Sequence, residues 1–191
     1  MTKERLEKLR KVAAARQNNL AVILEDIHDP HNAAAILRTC DAFGIQDVRF
    51  IFDQEKYYNP RRVGKISSSS ANKWLTITTY KSTAEALAML KKEKFKNVVT
   101  LLSSESVTLT RTKFPEKIAL WLGNEHRGLS LLAQKMASLK IKIPMRGLVQ
   151  SLNVSVTAAI LIYEITRQRE KKPQLLSTRK QKELLKEWQN K

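Results

Sequence analysis

Three polar clusters in this chain have the residue types and spacing that chemistry requires. The first is His28-Asp29-Pro30-His31-Asn32, followed six residues later by Arg38 on a stretch otherwise filled with Ala, Ile and Leu. An arginine on an apolar helix is costly unless its guanidinium is paired. The second is Gly123-Asn124-Glu125-His126-Arg127-Gly128, directly after the apolar run Leu120-Trp121-Leu122. Gly123 is expected to let backbone approach a ligand closely, although Gly123-Asn124 alone also fits an ordinary loop. The third runs from Ile143-Pro144-Met145-Arg146-Gly147 to Ser151-Leu152-Asn153. Val149, Leu152 and Val154 make it too apolar for a phosphate cradle, so a flat amphipathic group such as an adenosine suits it better. Neither GxxxxGK[ST] nor GxGxxG occurs, which argues against phosphate-loop and dinucleotide sites. His28, His31 and His126 lack cysteine partners at ligand spacing, so no metal is expected.

For these clusters to meet, the elements between them must bring loops to one edge. Leu20–Leu24 reads as a buried strand, and Ala33–Phe43 as a helix ending at Gly44. Val48–Phe52, Leu75–Thr79, Asn97–Leu102, Ile118–Leu122 and Ile141–Ile143 read as further strands. Thr83–Glu93, Leu129–Met136 and Val154–Arg169 read as helices, and the polar residues 54–73 as a functional loop. Such alternation predicts an α/β domain with a mostly parallel sheet, helices on both faces, and ligands at the strands' carboxyl ends. Asn32 lies near a helix start and fits either a cap or a site residue; Ser151 is a plausible cap for the final long helix.

The charge balance narrows the partner. Thirty-five Lys and Arg against 18 Asp and Glu leave a net +17. Residues 1–17 contribute +4 of it and residues 164–191 a further +5. This points to a polyanion, with nucleic acid first. Glu4–Arg16 and Lys180–Trp188 read as short helices, either caps on the core or basic arms against a phosphate backbone; Trp188 is expected to pack rather than stack on bases. No apolar run approaches a bilayer span, no signal-peptide core follows Met1, and Cys40 is the one cysteine. A cytoplasmic protein without membrane contact is the expectation.

In this order the clusters closely resemble the three motifs of the SpoU/TrmH family, a branch of the SPOUT methyltransferases. Asn32 with Arg38 looks like motif 1, Leu122–Gly128 like motif 2 and Ile143–Asn153 like motif 3. The loop Arg61-Arg62-Val63-Gly64-Lys65 with Ser67–Trp74, and the basic ends, are similar to the subfamily that methylates the 2′-oxygen of guanosine 18 in tRNA. The resemblance covers residues 19–166, leaving residues 1–18 and 167–191 as short helical extensions.

What the resemblance implies is specific. The fold would be a SPOUT domain with a C-terminal deep trefoil knot, and the active form a homodimer with sites built from both subunits. S-adenosylmethionine would lie against Thr100, Gly123, Ile143, Met145 and Leu152. Arg38 would activate the ribose hydroxyl, supported by Asn32, Glu125, Ser151 and Asn153. Lys3, Arg5, Lys8, Arg10, Lys11, Arg61, Arg62, Lys65 and Arg146 would contact tRNA. A guanidinium keeps its proton at ordinary pH, so Arg38 is expected to act together with an RNA phosphate rather than as a literal base. A SpoU-type enzyme for ribosomal RNA or another tRNA position, and a non-catalytic RNA-binding module, are the rival readings.

Overall fold

In the computed structural model, residues 1–63 and 71–191 are described. The elements are α1 (Lys3–Ala14), β1 (Gln17–Glu25), α2 (Pro30–Ala42), β2 (Ile45–Ile51), α3 (Ala71–Trp74), β3 (Thr76–Tyr80), α4 (Thr83–Lys92), β4 (Lys96–Thr100), β5 (Val107–Thr108), β6 (Ile118–Leu122), α5 (Leu131–Lys135), β7 (Leu139–Lys142), α6 (Val154–Arg169) and α7 (Thr178–Gln189). The strands form one sheet in the order β3-β2-β1-β6-β4-β7-β5, and every pairing is parallel.

The central strands show why the run at 20–24 is apolar without alternation. Both faces of the sheet are covered, so every side chain there is buried. Leu20, Val22 and Leu24 enter the layer shared with α2 and α6. Ala21 and Ile23 point the other way, into a layer with Ala86 and Leu90 of α4 and Ala133 of α5. Each such Leu, Val or Ile contributes about 1.5–3 kcal/mol when fully buried. β1 leads outward to β2 and β3, whereas β6, β4 and β7 lie on its other side, so the strand order, not the strand direction, reverses between β1 and β6. Leu24 is in register with Leu122, and Thr100 with Ile141. The loops that follow β1, β6, β4 and β7 therefore leave from one edge.

Several boundaries differ from the sequence expectation. α2 begins three residues early because Asp29, not Asn32, is its cap: the Asp29 carboxylate accepts from the His31 N–H, and Pro30 takes the first turn, where its missing N–H costs nothing. Ser151 does not cap α6; the Asn153 side chain does, accepting from the Ser155 N–H at 2.8 Å. The helix at 129–136 is shorter because Ser130 caps it at Leu131. The polar stretch 54–73 runs into the short α3, which ends at Trp74, and β5 is a two-residue edge strand too brief for any pattern to announce.

The two basic ends pack together. Leu9 and Ala13 of α1 meet Leu184 and Trp188 of α7. Trp188, expected to pack, is 1% exposed; its indole N–H donates to the Trp74 carbonyl at 3.1 Å. The fully buried Arg16 lies 5.2 Å from the Trp188 ring centre and pairs with Asp41. At the end of α6, Arg169 donates to the carbonyls of Asn18, Asn19 and Glu116, and burial pushes its pKa down to about 10.

Candidate active site

At the shared loop edge the sequence's three clusters are joined by hydrogen bonds. Glu125, from the loop after β6, accepts from the Asn32 amide at 2.8 Å and from the backbone N–H groups of His28 at 2.8 Å and Asp29 at 3.2 Å. Asn32 in turn accepts from the Asn153 amide at 3.0 Å. The cap of α6, the first turn of α2 and the β6 loop are thus tied in one line, Glu125–Asn32–Asn153. Burial disfavours the Glu125 charge, but the donors on Asn32, His28 and Asp29, with the backbone of Glu125 itself, outweigh it and hold its carboxyl below the ordinary range.

Beside this line lies a cleft of about 420 Å³. Thr100, Gly123, Ile143, Met145 and Leu152, all expected at a cofactor, line it, and so do Glu125, Ser151 and Asn153. Its walls combine Leu102, Leu122, Leu129 and Val154 with polar groups at the strand ends. That mixture of apolar walls and polar strand ends, with Arg127 and Lys142 also in the lining, fits an amphipathic adenosine-type ligand.

Gly123 lines the cleft and is also needed by the loop itself. A Cβ there would sit 2.4 Å from the Gly128 carbonyl carbon, so the missing side chain lets the loop fold back on itself. The Asn124 and Gly128 backbones then bond reciprocally at 3.1 and 2.9 Å. Asn124 completes the turn by accepting from the N–H groups of His126 and Arg127.

Arg38 is exposed on α2, six residues and ~9 Å of helix rise beyond Asn32, and it is not among the described residues that line the cleft. Lys3, Arg5, Lys8, Arg10 and Lys11 are exposed along α1, as are Arg61, Arg62 and Arg146 in their loops. Arg61 donates to the Ile77 carbonyl at 3.3 Å. Lys65 and the serines at 67–70 lie outside the described residues.

The sequence reading missed Glu55. Its carboxylate accepts from Arg127 at 2.7 Å, Asn124 at 3.2 Å and the His28 ring at 2.9 Å. No motif marks it. Its place at the shared edge comes from Asp26, whose carboxylate accepts from the N–H groups of Asp53, Gln54 and Glu55 and so folds the β2 loop toward β1.

A parallel sheet with an amphipathic cleft beside its reversal point, crossed by an Asn–Glu line from three loops, is the architecture of a ligand-binding α/β enzyme. The chain belongs to the SpoU rRNA methylase family, which matches residues 19–163. It is 35% identical over 189 residues to the tRNA (guanosine(18)-2′-O)-methyltransferase of Aquifex aeolicus, covering 97% of this chain and 88% of that one. The crystal structure of the A. aeolicus TrmH/SpoU tRNA modifying enzyme superimposes with a TM-score of 0.86 at 34% identity, over 97% of this chain and 95% of the other. The SpoU methyltransferase AviRb from Streptomyces viridochromogenes, solved with the cofactor AdoMet, gives 0.69 at 25% identity, over 83% and 61%.

Proposed function

We propose that the protein methylates the 2′-hydroxyl of a tRNA ribose, at guanosine 18 of the D-loop, with S-adenosylmethionine as donor. The observation that carries this reading is the line Glu125–Asn32–Asn153 running beside a cleft whose lining includes all five residues expected at the cofactor. The printed activity of the A. aeolicus relative supports the choice of tRNA and of guanosine 18, and the AdoMet-bound AviRb structure supports the donor.

Thr100, Gly123, Ile143, Met145 and Leu152 would hold S-adenosylmethionine, which supplies an electrophilic methyl group on a sulfonium. The chain's own task is to align the ribose oxygen and to ease its proton away. Holding the two reactants in line contributes on the order of 7 kcal/mol or more. Asn32, bonded on one side to Glu125 and on the other to Asn153, ties two residues of the cleft lining to the start of α2, and Ser151 lines the same cleft. Arg38 acts with a phosphate of the bound RNA: the guanidinium keeps its proton and orients the hydroxyl, and the phosphate shares the proton that leaves it.

Arg38 is not among the described residues that line the cleft of its own chain, which fits a homodimer in which each site takes this arginine from the partner. An exposed apolar strip supports the same reading: Val156 and Tyr163 of α6, with Phe43 edge-on to the Tyr163 ring at 6.2 Å. The trefoil knot belongs to this reading, formed where the segment after β7 returns to the sheet. So do the boundaries at residues 18 and 166 and action in the cytoplasm. No helix of the described residues is long and apolar enough to cross a membrane. Among the described residues no group of three or more His, Cys, Asp or Glu is placed to hold a metal ion, and the reaction is proposed to need none.

The test is methylation of a tRNA transcript with labelled S-adenosylmethionine, mapped by nuclease digestion. One 2′-O-methyl group at guanosine 18 is expected, and none on a tRNA carrying 2′-deoxyguanosine there. Label on a base, or at another ribose, overturns the assignment.

A further inference from the structure

Outside the three motifs, Glu55 on the loop after β2 is a multiply bonded group at the same edge as the cleft. It joins two loops that are far apart in sequence. One oxygen accepts from Arg127 at 2.7 Å and Asn124 at 3.2 Å; the other accepts from the His28 ring at 2.9 Å. Asn124 and Arg127 flank Glu125 in the chain, and the backbone N–H of His28 is one of the donors to Glu125. Glu55 therefore grips the supports of Glu125 from both sides, without touching Glu125 itself.

An ordinary surface ion pair contributes little, because water competes for both partners. Glu55 differs in that its side chain is only 17% exposed and its partners come from two separate loops. The loop beneath it is pinned by Asp26 through three N–H groups, so the carboxylate is presented by a fixed base. Across the gap the rings of His28 and His126 meet edge-on at 5.8 Å. The pairing also shows in the acid–base balance. The hydrogen bond and charge of Glu55 raise His28 above its ordinary range, while His28 and Arg127 lower Glu55.

We propose that Glu55 is a positioning residue for the reaction assigned above, and the proposal rests on that assignment. Its carboxylate sets the register between the loop of His28–Asn32 and the loop of Gly123–Gly128, so that Glu125 meets Asn32 in one geometry. Loss of this register changes how often the site is correctly assembled, and leaves the RNA-binding surface and the sheet unchanged.

Glu55→Gln tests this, because it keeps size and polarity but can no longer pair with two cations. At saturating tRNA and S-adenosylmethionine, kcat is expected to fall about tenfold. KM for tRNA should stay within about twofold, and Tm within about 2 °C of wild type. In NMR titrations of the same variant the His28 midpoint should move down toward about 6.5. An unchanged kcat overturns the inference, as does a loss of activity that appears only in KM or that follows a comparable fall in Tm. An active wild-type protein with a fully active variant overturns this inference alone. A wild-type protein that does not methylate tRNA overturns the assignment and the inference together.

Discussion

The Asn153 amide donates to the Asn32 side-chain oxygen at 3.0 Å, and the same Asn153 caps α6 through its own oxygen. One residue thus starts the last core helix and steadies the residue that bonds Glu125. Helix capping and site assembly are mechanically the same event here. Asn153 cannot shift without loosening both.

Asn32→Ala removes the middle of this line. Glu125 then keeps its backbone donors but loses its side-chain partner. A hydrogen bond to a charged group is typically worth about 1.5–3 kcal/mol, so methyl transfer in single-turnover experiments should slow by about 10- to 100-fold. Stability should fall by no more than about that same 1.5–3 kcal/mol, since Asp29 still caps α2. A variant with wild-type turnover would remove Asn32 from the site.

Arg38→Lys keeps the positive charge and discards the planar fork that can hold an oxygen and a phosphate together. Turnover should fall at least about tenfold with tRNA affinity preserved. Rate constants from pre-steady-state methylation, compared with Kd from filter binding, separate the two effects.

Neutralising Lys3, Arg5, Lys8, Arg10 and Lys11, all exposed on α1, should weaken tRNA binding and flatten its salt dependence. Each lost phosphate contact reduces the slope of log Kd against log salt by about 0.7–0.9. Titrations at several potassium concentrations check this; an unchanged slope would show that α1 faces away from the RNA.

Trp188→Ala opens a hole between α1, α7 and α3. The indole is 1% exposed and bonds the Trp74 carbonyl. A buried aromatic truncated to alanine costs about 3–5 kcal/mol, here read as a lower Tm in calorimetry. The buried Arg16 loses its ring partner at the same time, so a second cost is expected beyond the cavity.

Acid should weaken the fold partly through Glu125. Its folded-state pKa lies below the ordinary value, so the unfolded chain binds this proton more readily. The stabilisation is complete above the unfolded value, about 4.3, and disappears as pH falls through the lower folded value. Glu125→Gln should flatten the stability profile in that acid range, measured by urea unfolding.

The sheet and the cleft were legible in the sequence because both rest on strong local patterns. The uniformly apolar runs at 20–24 and 118–122 have one stable use, as interior parallel strands. The glycine and polar clusters after them fall at the loop edge by topology. Helix starts were less legible. Asp29 and Asn32, or Ser151 and Asn153, are both good caps by type, and only three-dimensional surroundings decide which one turns to its own backbone. Glu55 lies in the stretch 54–73 that read as a functional loop, but it was not singled out there for a related reason: its partners lie in other loops, and no motif marks it. At Gly123 the sequence pointed to close approach by a ligand; the structure adds a close approach by the chain's own Gly128.

The pairing of β1 with β6 has a consequence for how the protein comes to be folded. Leu20 lies beside Ile118 and Leu24 beside Leu122, so the middle of the sheet waits for a segment made long after its partner. Until that segment leaves the ribosome, β1 and β2 expose apolar faces with only half their neighbours. Non-local parallel pairing of this kind closes slowly. Nascent chains of this protein should therefore depend on chaperones more than their short helical ends would suggest.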